Sequence, residues 1–195
     1  NYQTWTPANG LTTFTDKFIG TIDGNPLVFR VNKNRAGRMD YDLNLGQASF
    51  GYGAAKNTAL SSDATLGGLR NYRGTKNTAF GYEAMTSTNI GKENVAVGYR
   101  ALQNNESYNG MVAIGFESMA NFTNEFNTSG YNQNYTALEQ ASNAYSRNGF
   151  NTAVGYQSLK GSATITSNTG LQNTALGYQS MAVNTSGASN TAVGY

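Results

Sequence analysis

The sequence predicts an all-β protein built as a solenoid of roughly 17-residue coils, and three observations predict it. A six-residue phrase recurs: Asn77-Thr-Ala-Phe-Gly-Tyr82, Asn94-Val-Ala-Val-Gly-Tyr99, Met111-Val-Ala-Ile-Gly-Phe116, Asn151-Thr-Ala-Val-Gly-Tyr156, Asn173-Thr-Ala-Leu-Gly-Tyr178 and Asn190-Thr-Ala-Val-Gly-Tyr195. Its spacing is constant where copies are adjacent, from 77 to 94 to 111 and from 173 to 190. The phrase itself is β-prone, with Thr or Val before a central alanine and mostly Val, Ile or Phe after it. An earlier copy, Gln47-Ala-Ser-Phe-Gly-Tyr52, opens the series, and Asn127-Thr-Ser-Gly-Tyr131 reads as a degenerate one.

Within each copy the strand period of two separates the side chains. The large position (Phe80, Val97, Ile114, Val154, Leu176, Val193) reads as a stacked core column. The alanine position (Ala79, Ala96, Ala113, Ala153, Ala175, Ala192) reads as a place of close approach within or between chains. The glycine that follows marks a corner, where positive φ or close packing excludes a Cβ. Segments such as Ala101-Leu102 and Ser158-Leu159 then read as the return strand.

Vertical stacking of equal positions predicts two polar ladders. Asn77, Asn94, Asn151, Asn173 and Asn190 would stack with their amides bonding along the axis. The residue after each aromatic gives Glu83, Arg100 and Glu117 on consecutive coils, an alternating charge ladder continued by Gln157 and Gln179.

Residues 1–45 form an N-terminal β segment without the repeat, and residues 46–195 form the repeat region. Phe18–Gly24 reads as strand and turn, Pro26–Val31 as a second strand, Asn32–Arg38 as a polar turn, and Asp40–Leu45 as an alternating lead into the first coil. Insertions fall near 61–76, 120–150 and 160–172 and are expected as surface loops. The stretch from Phe116 to Phe150 is aromatic, and Phe122, Phe126, Tyr131, Tyr135 and Tyr145 are its candidate receptor-binding residues; packing of these rings onto the repeats is the plainer alternative. Thr136–Gly149 reads equally as a short capped helix or a decayed coil.

Composition narrows the function. Charged residues are 12% and the net charge is +2, without the clustered basic field of a nucleic-acid binder. The one basic run, Arg30, Lys33, Arg35 and Arg38, reads as a solvated turn or an inter-subunit contact rather than a phosphate site. There is no cysteine and no histidine, which removes disulfides, thiolate metal sites and histidine-based nucleophilic catalysis. No cofactor, metal or catalytic residue set is read, and a non-enzymatic role is expected. Asp40, Asp42 and Asp63 are the residual candidates for a carboxylate pair. Three glycosylation triplets, at Asn105, Asn121 and Asn184, are expected by chance in so Asn-, Thr- and Ser-rich a chain. No apolar run is long enough to insert in a membrane. The ends, Asn1 without a Met and Tyr195 inside a repeat, read as those of a fragment, with any signal or C-terminal domain beyond them.

The repeat, above all Met111-Val-Ala-Ile-Gly115, resembles the head repeat of trimeric autotransporter adhesins (YadA-like heads). It is also similar to the Asn-Thr-Ala-Leu-Gly-Tyr-Gln repeats of phage-type tail fibres. Phe18–Asn32 with Arg35-Ala-Gly-Arg38 resembles the segment preceding such repeats in tail fibre-like proteins of Bacteroidetes and their phages. The resemblance implies a left-handed parallel β-roll, a homotrimer around a fibre axis, and a C-terminal self-cleaving chaperone in many relatives. It further implies an extracellular setting: a virion or injection-particle tail fibre, or a bacterial cell surface. The implied partners are a cell-surface glycan or other receptor and other fibre or particle proteins. A trimeric surface adhesin is the alternative reading, and a polysaccharide-degrading tailspike a third.

Overall fold

The computed structural model describes residues 25–40, 46–56, 61–63, 71–88, 91–105, 107–122, 147–164 and 167–195. Among them the chain is all-β, with no helix. In chain order the strands are β1 (Leu27–Val31), β2 (Asn34–Met39), β3 (Ala48–Phe50), β4 (Ser61–Asp63), β5 (Asn71–Arg73), β6 (Thr78–Phe80), β7 (Val95–Val97), β8 (Tyr108–Asn109), β9 (Val112–Ile114), β10 (Arg147–Asn148), β11 (Thr152–Val154), β12 (Thr174–Leu176) and β13 (Thr191–Val193).

Nine of these form one sheet in the order β1-β2-β3-β6-β7-β9-β11-β12-β13. From β3 onwards every neighbour is parallel, and the register sets like on like: Ser49 on Ala79, then Ala96, Ala113, Ala153, Ala175 and Ala192. The register holds from β9 to β11, which pair directly although 37 residues separate Ile114 from Thr152 in sequence. The degenerate copy Asn127–Tyr131 lies outside the described residues.

The first element of the sheet is an antiparallel hairpin. Asn32 and Lys33 have φ of 46° and 64°, the two left-handed residues that a tight hairpin turn needs. The expected polar turn Asn32–Arg38 is thus only two residues long, and Asn34–Met39 is a strand that pairs antiparallel with β3. The expected strand at Phe18–Gly24 and the lead-in after Asp40 fall, but for Asp40, outside the described residues.

The facing of the repeat strands reverses one expectation. The alanines point inward: Ala96 and Ala113 are fully buried, whereas Val97 and Ile114 are each 38% exposed. The large column is an outer surface. The reason is the thinness of the interior. Ser118 Oγ donates to the Ala153 carbonyl at 3.0 Å and Ser158 Oγ to the Ala175 carbonyl at 2.9 Å. With the return leg within one side-chain hydrogen bond of the strand, only a methyl group fits on the strand side. Met85, Leu102, Met119 and Leu159 fill the remaining space from the return leg.

That return leg is not a strand. Glu83 and Met85, Arg100 and Leu102, Glu117 and Met119, Gln157 and Leu159, and Gln179 and Met181 all have φ between 48° and 55°. The alternation lets successive N–H groups bond in opposite directions along the stack. Glu83 N–H donates to Tyr52 of the preceding repeat and Met85 N–H to Ala101 of the following one.

Glycine at the corner is obligatory for two reasons. Gly98 has φ of 131°, and a Cβ there would collide with the carbonyl group of Gly115 in the next repeat; only glycine tolerates both conditions. The same conflict recurs at Gly81, Gly115 and Gly155.

Ala96→Val is expected to destabilise the chain by about 1–3 kcal/mol through overpacking, while Val97→Thr on the outer face changes the stability of an isolated chain little. Urea denaturation of the two variants distinguishes this facing from its reverse.

Candidate functional site

The outer face of the sheet and the corner beside it carry the exposed chemistry. Along the corner runs one aromatic column: Tyr52, Tyr82, Tyr99, Phe116, Tyr156, Tyr178 and Tyr195. Neighbouring ring centroids are 4.8 Å apart at Tyr99–Phe116 and 5.4 Å at Tyr52–Tyr82, and from Tyr82 onward the rings lie within 9° of parallel. Phe50 stacks on Phe80, and Phe29 packs tilted against Phe50. Each inner ring of the long column covers the face of the next. The column therefore offers ring edges and hydroxyls to solvent, and ring faces only at its ends.

Next to the aromatics lie the charged positions. Arg100 Nε donates to Glu83 Oε2 at 2.8 Å, Gln103 Nε2 to the same oxygen at 3.1 Å, and the Arg100 guanidinium sits 4.9 Å from the Tyr99 ring centre. Glu117 instead takes Lys160 Nζ at 2.7 Å and Gln157 Nε2 at 2.9 Å, and Gln179 Nε2 donates on to Gln157 Oε1 at 2.9 Å. The repeat phrase alone does not single out Lys160. It reaches Glu117 because β9 and β11 are direct neighbours. The Lys160 hydrogen bond, more than any other influence, holds the Glu117 carboxyl below its ordinary pKa, against a smaller opposing effect of burial.

The asparagines do stand one above another, but their amides bond mainly to backbone. Asn77 Oδ1 accepts from Asn94 N–H at 2.9 Å, Asn94 Oδ1 from Met111 N–H at 2.9 Å, and Asn151 Oδ1 from Asn173 N–H at 2.7 Å. Their Nδ2 groups close the following loop through the Gly91, Tyr108 and Gly170 carbonyls at 2.8–2.9 Å. A side-chain to side-chain amide bond occurs at Asn190–Asn173, 3.1 Å. Asn77, Asn94, Asn151 and Asn173 are buried, so this ladder is internal scaffolding and presents nothing to a ligand.

Of the aromatic insertion, Phe122 is fully buried in the core cluster, which removes it as a receptor contact. Phe126, Tyr131, Tyr135 and Tyr145 lie outside the described residues. Asp40 is ion-paired with Arg38 at 2.9 Å; Asp42 lies outside the described residues, and of Asp63 only its place in β4 is described. Two of the three glycosylation triplets begin at turn-forming asparagines: Asn105 and Asn184 accept from the N–H of Tyr108 and Gly187. Among the described residues no cluster of metal-ligating side chains occurs, and no helix is long and apolar enough to cross a membrane.

A cavity of about 310 Å³ opens where the hairpin meets the first repeat, lined by Arg30, Asn34, Arg35, Tyr52, Gly53, Ala54 and Lys56. Arg30 and Arg35 are register partners across β1 and β2. Arg35 Nη2 donates to the Ala55 carbonyl at 2.7 Å and the Lys56 carbonyl at 3.2 Å. Burial first, then Arg38 and Arg30, lowers the Arg35 pKa from its ordinary value. The basic run is legible in the sequence, but its grouping with Lys56 and Tyr52 is not, since those residues belong to the first repeat.

Compared with protein-family models, curated proteins and solved structures, the chain finds no match.

Two outcomes test the ladders. Lys160→Ala raises the Glu117 carboxyl pKa towards its ordinary value, as read by NMR titration. Because the folded carboxyl is depressed, the stability from this pair is present above the unfolded pKa of about 4.3 and is lost as pH falls through the folded value. Asn94→Ala strands the buried Met111 N–H and costs about 1–3 kcal/mol in chemical denaturation.

Proposed function

We propose that the chain is a left-handed parallel β-solenoid that associates side by side as a homotrimer, forming a fibre segment of the tail fibre type that attaches to a cell-surface glycan. The observation that carries this reading is the outward apolar column. Phe80, Val97, Ile114, Leu176 and Val193 are exposed, with Val95 and Val112 beside them on the same face of the strands. A contiguous apolar strip of this kind is uncommon on a monomer and marks an association surface. The register that stacks alanine on alanine makes the strip straight, so it can run along an axis shared with identical copies. The stiffness of in-register repeats suits a shaft.

The Met111-Val-Ala-Ile-Gly115 phrase equally favours a trimeric surface adhesin of the same fold, and a secretion signal and membrane anchor in the complete gene would select that reading. In both cases the role is attachment rather than catalysis.

Light scattering is expected to give three times the chain mass of 20.8 kDa. The double variant Val97→Lys, Ile114→Lys is expected to shift the particle to one chain mass with its far-ultraviolet circular dichroism retained. A wild-type monomer would overturn the fibre reading.

A further inference from the structure

The cavity between the hairpin and the first repeat combines three features that together favour an anion. Arg30 and Arg35 are cross-strand register partners beside a β-bulge, an arrangement that like charges disfavour. Neither of them, nor Lys56, makes an ion pair with a carboxylate among the described residues. The Arg30 and Arg35 guanidiniums are instead positioned through backbone carbonyls, Arg30 Nη1 to Lys33 at 3.0 Å and Arg35 Nη2 to Ala55 at 2.7 Å. The nearby carboxylates are committed elsewhere, Asp40 to Arg38 and Glu83 to Arg100. Carbonyls and a distant pull from Asp40 on Arg35 offset the repulsion in part, and a like-charge pairing that no described carboxylate bridges points to an anionic ligand.

The ligand chemistry follows from the lining. A guanidinium fork matches a planar carboxylate in bidentate fashion. Tyr52 heads the aromatic column. Tyr82 covers one of its faces, and no described ring covers the other. An aromatic face accepts the apolar C–H surface of a sugar ring. Asn34 also lines the cavity, and its amide can both donate to and accept from hydroxyls. The volume of about 310 Å³ lies at the small end of ordinary ligand sites.

We propose that Arg30, Arg35, Lys56 and Tyr52 form a binding site for a carboxylated sugar, such as a uronic acid unit of an acidic surface polysaccharide. This rests on the reading of the chain as a glycan-recognising element and assigns it a ligand class and a place. The carboxylate lies between the two guanidiniums, with Lys56 adding charge, and the ring stacks on Tyr52.

The test is saturation-transfer NMR on the full chain in its native assembly, with methyl β-D-glucuronide against methyl β-D-glucoside, which differ at the carboxylate. The glucuronide is expected to bind about tenfold more tightly, the loss that one charge-assisted contact represents. Arg30→Gln and Lys56→Gln are each expected to weaken it several-fold with unchanged melting temperature, and Tyr52→Leu to weaken both sugars. Sodium sulfate is expected to compete poorly. Equal binding of the two sugars, binding of neither, indifference to Arg30→Gln and Lys56→Gln, or displacement by sulfate as effective as by glucuronide would each overturn the proposal. Failure here with an intact trimer mass and retained adsorption to cells would remove this site and leave the attachment reading standing.

Discussion

The rest of the structure depends on one constraint: each residue of a repeat lies over its counterpart in the next, one strand spacing away. At about 4.8 Å there is no room for a side chain between two backbones that meet at a corner. That is why Gly98 cannot carry a Cβ, which would strike the backbone of Gly115. The same spacing brings a side-chain amide within reach of the next backbone, so Asn77 can take the N–H of Asn94 at 2.9 Å and hold the register from inside. Like-on-like stacking also brings identical charges together, and the chain avoids this in two ways. Glu83 is answered by Arg100 on the next repeat, while Glu117 is answered by Lys160, a residue of the return leg above it.

The repeat and its sheet are legible because periodicity in the sequence becomes adjacency in space. What the alternation of Thr78, Ala79 and Phe80 does not carry is which side is inside. Larger residues are buried more often than alanine in ordinary sheets, and that habit fails here. The interior depth is set by the return leg, whose serines reach the strand carbonyls, and no property of the strand itself encodes that distance. The return leg defeats a strand reading for a related reason. Left-handed backbone is associated with glycine and asparagine. Yet Met85, Leu102 and Met119 adopt it, with φ of 52°, 52° and 48°. Their N–H bonds to the following repeat, with those of Glu83, Arg100 and Glu117 to the preceding one, over-determine a conformation that the residue types do not announce. Likewise, nothing in the sequence tells Phe122 apart from the insertion aromatics that follow it; only the described fold shows it closing the core.

The hairpin illustrates the limit of reading short range. Arg30 and Arg35 are visible as a basic run, and a solvated turn is the economical interpretation. Their meaning changes once Asn32 and Lys33 make a tight turn and β2 pairs with β3. The two arginines are then register partners at one cavity with Lys56, which is 21 residues from Arg35. Charge patterns on a folded surface are products of topology, and a cluster assembled from two elements has no local signature.

Thin interiors also bear on assembly. An alanine methyl contributes little on burial, whereas a buried valine, leucine or isoleucine side chain contributes about 1.5–3 kcal/mol. On the strands of this chain the alanines face in and the larger aliphatics face out, while Met85, Leu102, Met119 and Leu159 fill the interior from the return leg. Within one chain, then, the hydrophobic free energy that the strand aliphatics could supply goes largely unused. Covering the outer column would release it in proportion to the number of repeats, so a longer array would be held more firmly, without any change in the unit. The aromatic column follows the opposite logic. Its rings already cover one another, and an inner ring gains nothing from a ligand on a face that is occupied. Under the attachment reading, the aliphatic strip is thus the surface suited to identical copies. Recognition of other molecules belongs where the stack is interrupted, at an exposed terminal ring such as Tyr52 or in the loops that leave the repeat.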